Sequence, residues 1–128
     1  MKNEDLIKLA IKAKQNAYAP YSNFKVGAAL LTKAGKVYLG ANVENGCYNP
    51  TNCAERSAIF SAISNGEKDF SKLAIVGDEK TIIYPCGPCR QVISELLPEV
   101  DIICAKNESE YKVYNIKDLL PFAFSLLK

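Results

Sequence analysis

The sequence predicts an α/β fold, a three-layer α/β/α sandwich built on a mixed five-stranded sheet. Three observations carry that expectation. Helical and strand-like patterns alternate along the chain in the order αββαβαββα. The run Leu73 to Val76 is apolar at every position, as in a strand buried on both faces. Hydrophobic residues make up 48% of the 128, enough for the core of one domain spanning 1–128.

Taken in order, Leu6, Leu9, Ala10, Ala13 and Ala17 recur at helical spacing, so a first helix is expected from a cap at Asn3 to about Ala17. Glu4 and Asp5 suit its positive end, and Pro20 closes it. Phe24 to Thr32 reads as a strand, Ala34-Gly35 as a turn, and Val37 to Glu44 as the antiparallel partner. Asn45 to Asn52 is a polar loop. Cys53 opens a second helix with Ala58, Ile59, Ala62 and Ile63 inward, stopped by Asn65-Gly66. After the buried strand, Pro88 sits near the start of a third helix whose inward stripe is Val92, Ile93, Leu96 and Leu97. Strands at Asp101 to Ala105 and Tyr111 to Tyr114, a short helix near Ile116 to Leu120 and an apolar tail complete the chain.

Composition narrows the function. A formal net charge of +2 with scattered lysines lacks the basic stripe of a nucleic-acid binder, so no nucleic-acid partner is expected. The longest apolar run, Val26 to Leu31, is far too short to cross a bilayer, and no signal-like stretch follows Met1. A cytoplasmic protein without a membrane partner is the expectation, and five cysteines in a reducing compartment point to metal binding or chemistry. The absence of histidine decides most. It removes Ser-His and Cys-His nucleophiles and histidine-based zinc proteases, leaving cysteine and carboxylate to build any metal site.

Cys53-Ala54-Glu55 and Pro85-Cys86-Gly87-Pro88-Cys89 supply such a site. Cys86 and Cys89 stand three apart at a helix start and can face one point. If both helices follow strands, their N-termini meet with Cys53 above the carboxyl ends of the sheet, and their dipoles favour thiolate. Three cysteine ligands leave a coordination position open, as in catalytic rather than structural zinc sites. One Zn²⁺ per chain, ligated by Cys53, Cys86 and Cys89, with Glu55 as a spare carboxylate, reads as a hydrolytic deaminase. Three thiolates on one zinc give a net negative centre, so positive charge is needed nearby. Arg56 is placed to hydrogen-bond a thiolate sulfur and draw off some of it. An ordinary surface ion pair is the plainer reading of that arginine. Cys47 and Cys104 have no motif partners and read as structural, and Cys47 is expected with Tyr48 at a subunit interface.

The Cys-x-Glu…Pro-Cys-x-x-Cys pattern matches the three-cysteine variant of the zinc-deaminase signature. Together with Ala19-Pro20-Tyr21-Ser22-Asn23-Phe24, Val26 to Leu30, Asn42-Val43-Glu44-Asn45, Cys53 to Arg56, Pro85 to Val92 and the tail through Ala123-Phe124-Ser125, it resembles cytidine deaminase of the small, homotetrameric, three-cysteine class. The resemblance implies a cytidine deaminase-like fold and deamination of cytidine and 2′-deoxycytidine to uridine and 2′-deoxyuridine, a step of pyrimidine salvage. In it, zinc-bound hydroxide attacks C4 and Glu55 shuttles protons. It also implies that Asn42 and Glu44 bind the ribose 3′-hydroxyl with Phe24 packed nearby. The Ala54 N–H would hold the 2-oxo group, and the Tyr84 carbonyl would accept from the 4-amino group. Phe124 would reach a neighbouring subunit's site and stack on the base. Tyr84 departs from the small hydroxyl residue expected before this Pro-Cys. A backbone contact tolerates the change, although the larger side chain alters the pocket rim.

Other readings use fewer of these residues. A deaminase of a nucleoside antibiotic would not need the Asn42/Glu44 pair for ribose, and a polynucleotide editor would need a basic groove. A structural zinc site lacks a fourth ligand unless Cys47 supplies it. A Cys86/Cys89 redox pair leaves Cys53-Ala54-Glu55-Arg56 unexplained.

Overall fold

A computed structural model describes residues 1–127. Its elements run α1 (Asn3–Lys14), β1 (Gly27–Thr32), β2 (Val37–Ala41), α2 (Ala54–Ser64), β3 (Phe70–Val76), α3 (Gly87–Leu96), β4 (Asp101–Asn107), β5 (Glu110–Tyr114) and α4 (Ile116–Leu119). The order is the one the sequence predicts. The strands form one five-stranded mixed sheet, β2-β1-β3-β4-β5, in which only β3 and β4 are parallel neighbours.

Side chains alternate across this sheet, as the period of a strand requires. Ala28, Leu30, Leu73, Ile75, Ile102 and Cys104 pack on one face with Ala58 and Ile59 of α2, Ile93 of α3 and Ile116 of α4. Ala29, Leu31, Ala74, Val76, Ile103 and Ala105 pack on the other with Leu6, Ile7 and Ala10 of α1. That division gives the three layers. Leu73 to Val76 are all fully buried, because the central strand β3 is covered by helices on both sides.

Boundaries differ from expectation where backbone groups find non-ladder partners. Lys2, not Asn3, caps α1, and the Asn3 side chain instead accepts from Lys72 Nζ at 2.8 Å. The helix stops at Lys14, three residues early. Tyr18 N donates to Asn42 O and Glu44 N to Tyr18 O, both at 2.9 Å, drawing this stretch into a bridge with Val43. β1 starts at Gly27 rather than Phe24, because the Val26 N–H donates to Asn42 Oδ1 and the Phe24 N–H to Ser22 Oγ. Past Ala41 the β2 strand gives way to an isolated bridge from Val43 to Asn52. In α2 the buried set is Ala54, Glu55, Ala58, Ile59 and Ala62, whereas Ile63 is exposed. The helix is rotated so that a glutamate, not an isoleucine, faces inward. In α3 Cys89 and Ile93 are buried while Val92 and Leu96 are only half-buried.

Gly40 sets the height of α2 over the sheet. A Cβ there would run into the Ala54 carbonyl and the Ala58 backbone, so only glycine lets the first turn of α2 lie this close to β2.

Candidate active site

The antiparallel pairing of β1 with both β2 and β3 makes β2 and β3 point the same way. Their carboxyl ends therefore share one edge, and the helices that follow them, α2 and α3, begin there. Cys53 is the N-cap of α2 and Cys86 the N-cap of α3, both in extended backbone. Pro88, at the start of α3, costs no hydrogen bond, since those first N–H groups have no helical acceptor. Cys89, one turn on, is fully buried.

The three sulfurs lie within 4.8 Å of one another, and Cys53 Sγ is 3.6 Å from Cys86 Sγ. Two thiolates on a tetrahedral zinc, each bonded at about 2.3 Å, sit about 3.8 Å apart, so the donor set fits zinc. Cys47 is exposed and outside the cluster, and Cys104 is buried in β4, where burial pushes its thiol up to about 12. Neither completes a fourth ligand.

The surroundings favour ionisation of Cys53 and oppose that of Cys89. A hydrogen bond from the Cys89 thiol, followed by bonds from Arg56 and Cys86, holds Cys53 down at about 5 against the opposing effect of burial. The same hydrogen bond to the Cys53 thiolate, with burial and Glu55 beside it, pushes Cys89 up. A bound cation would reverse that push, because the metal would replace the proton on the coordinating sulfur. Arg56 Nη2 donates to Cys53 Sγ at 3.1 Å, and this bond keeps the guanidinium firmly charged. Its Nε is buried without a partner among the described residues.

Glu55 is 4% exposed, and burial pushes its carboxyl up to about 7, with the Cys53 thiolate adding to the effect. It makes no salt bridge among the described residues. The carboxyl thus lies beside the sulfurs and outside their cluster.

These groups open onto a cleft of about 440 Å³. Phe24, Asn42, Glu44, Cys53, Ala54, Glu55, Tyr84 and Cys86 all line it. Phe124 does not: it lies in the tail, 66% exposed, with its carbonyl accepting from Gln91 Nε2 at 3.1 Å. Asn42 is buried and both ends of its amide are engaged, Oδ1 with Val26 N and Nδ2 with Phe24 O, each at 2.9 Å. Glu44 Oε1 accepts from the Tyr21 and Ser22 N–H groups at 3.0 and 3.1 Å, and Oε2 from Ser22 Oγ. The Ser22 hydroxyl and then these N–H groups hold the Glu44 carboxyl below its ordinary value. The Tyr84 ring leans on Tyr114, with centroids 5.9 Å apart and planes at 59°.

Sequence reasoning missed Ser22, Val26, Thr51, Asn52 and Ile83 as parts of the cleft wall. Ser22 lies far from Glu44 along the chain, so no local pattern pairs them. Arg90 was also missed: its Nε donates to Pro85 O and its Nη1 to Leu119 O, both at 2.7 Å.

Comparison with known proteins adds to this geometry. Residues 1–105 match the family model described as the cytidine and deoxycytidylate deaminase zinc-binding region. A curated cytidine deaminase of Halalkalibacterium halodurans is 47% identical over 126 residues, covering 98% of this chain and 96% of the relative. The crystal structure of cytidine deaminase from Burkholderia pseudomallei superposes with a TM-score of 0.91 at 48% identity, covering 97% of this chain and all of that one. A curated blasticidin-S deaminase of Bacillus cereus is 35% identical over 108 residues, covering 78% of this chain and 76% of that relative.

Proposed function

From the premise that the chain belongs to the zinc-binding cytidine and deoxycytidylate deaminase family, we propose that it hydrolyses free cytidine and 2′-deoxycytidine. The products are uridine or 2′-deoxyuridine and ammonia. Cys53, Cys86 and Cys89 would hold the zinc, whose Lewis acidity would make water nucleophilic near neutral pH. Glu55 would accept a proton from that water and deliver it to ring N3 as C4 is attacked, then take the proton of the new C4 hydroxyl and pass it to the departing 4-amino nitrogen. A carboxyl pushed up to about 7 suits both directions of transfer.

The other cleft residues orient the nucleoside. The Asn42 amide keeps one N–H and one lone pair beyond its bonds to Phe24 and Val26, and these face the ribose 3′-hydroxyl with Glu44. The Ala54 N–H, at the first position of α2, has no helical acceptor and takes the 2-oxo group. The Tyr84 carbonyl accepts from the 4-amino group, and Phe24 packs beside the sugar. Phe124, exposed in the tail, stacks on the base bound by a neighbouring copy within a homotetramer. Binding of the ribose, remote from C4, holds the ring for attack. Cytoplasmic location accords with this role, and among the described residues no helix is long and apolar enough to cross a membrane.

One observation carries the reading: Glu55 is buried beside three clustered thiols yet is not one of their set. Glu55→Ala is expected to retain one zinc per chain and to lose cytidine turnover by about 10⁴-fold or more, since one carboxyl serves several transfers. Full activity in that variant refutes the mechanism. The blasticidin-S deaminase relative favours a second reading, a nucleoside antibiotic as substrate. Parallel turnover of cytidine, cytosine and blasticidin S separates the two, and indifference to the ribose sinks the first.

A further inference from the structure

Arg90 follows the metal-ligand position Cys89 on the first turn of α3 and is half-buried, yet it makes no ion pair among the described residues. Its donors go to two backbone carbonyls instead. One belongs to Pro85, whose peptide leads directly into Cys86, and the other to Leu119, at the C-terminal end of α4. A bond to Pro85 O fixes the peptide plane from which Cys86 hangs, and with it the direction of that sulfur. Leu119 O is one of the orphan carbonyls of a short helix, and the exposed tail 121–127 follows just beyond it. Gln91, the next residue, holds the tail again further along, at Phe124 O. The first turn of α3 is thus tied on one side to a zinc ligand and on the other to the tail.

We propose that Arg90 is a positioning residue that couples the Cys86 turn to the carboxyl-terminal tail, so that zinc occupancy and tail order rise and fall together. The planar guanidinium can bridge two carbonyls at fixed separation. A lysine ammonium on a flexible stem holds one of them at a time. Residues that orient metal ligands from outside the ligand set are worth about 10–100-fold in metal affinity. The proposal rests on zinc ligation by the three cysteines, and zinc content of the wild-type chain tests that premise separately.

The test uses the full chain loaded with zinc and needs no substrate. Zinc release is followed with a chromogenic chelator, and amide hydrogen exchange of residues 116–126 is measured with and without zinc. In the wild type, removing zinc is expected to speed exchange in that segment. Arg90→Gln is expected to release zinc about tenfold faster and to show fast tail exchange whether or not zinc is present. Arg90→Lys, which keeps the charge, should fold in any case and fall between the two. A merely structural arginine would lower thermal stability without removing the dependence of tail exchange on zinc. Release rates within twofold of wild type in Arg90→Lys and Arg90→Gln overturn the proposal. So does tail exchange that still responds to zinc in both variants.

Discussion

Arg56 donates to Cys53 Sγ from the same helical turn that buries Glu55, so charge relief and the buried carboxyl come from adjacent residues. Arg56→Gln removes the positive charge and leaves only a shorter amide donor. We expect its fold and far-UV circular dichroism to match wild type while kcat for cytidine falls by about 10–100-fold. Equal turnover would remove the role given to this charge. Glu44 illustrates a second kind of control, since Ser22 and the neighbouring N–H groups hold its carboxyl below the ordinary range. A depressed folded value means this carboxylate adds stability above its unfolded pKa of about 4.3, lost as pH falls through the folded value. Ser22→Ala should raise the Glu44 pKa, read from its carboxyl carbon resonance during an acid titration. An unmoved titration would mean that the backbone N–H groups alone hold it. At this scale the clustering of Cys53, Cys86 and Cys89 was legible in the sequence, because thiol clusters are written in residue type and spacing. Ser22 and Arg90 were not, because their partners are distant carboxylate and backbone atoms.

Among the elements, the segment before β1 and the connection from β2 to α2 supply most of the cleft wall. The sequence carried the type and order of every element, because apolar periodicity is a local signal. It misjudged the ends of α1, β1 and β2, since Tyr18, Val26 and Val43 pair with atoms that no window of sequence contains. It also misjudged the rotation of α2, where burial of Glu55 displaces Ile63 to the surface. Asn42 is the latch in this region, bonding both Phe24 O and Val26 N and so fixing the strand-like stretch that carries Phe24. Asn42→Ala leaves a half-buried backbone donor and acceptor unpaired, at a cost of about 1–3 kcal/mol. We expect a lower midpoint in urea with an unchanged slope, and a higher KM for cytidine with zinc content intact. A variant whose stability is unchanged would show that water replaces the amide without loss.

For the molecule as a whole, the three-thiol cluster joins the heads of α2 and α3, which otherwise meet little. Zinc bound only by the folded chain should stabilise it by about 2.7 kcal/mol at a free concentration 100 times its dissociation constant. Chelation is therefore expected to lower the melting temperature and abolish turnover, and added zinc to restore both. A melting temperature indifferent to chelation would deny the cluster its linking role. From the sequence by itself came the layered α/β fold, the three-cysteine cluster, the glutamate beside it and the aromatic and polar residues offered for the cleft. Those follow from periodicity and residue chemistry, which are local properties. Only the tertiary structure decided that Glu55 is buried, that Gly40 admits α2 so close to the sheet, that Asn42 and Ser22 brace the cleft walls, and that Arg90 ties Pro85 to Leu119. Burial and hydrogen-bond partnership depend on which distant atoms fill the space around a group. The strand order that brings β2 and β3 to one edge sets those neighbours.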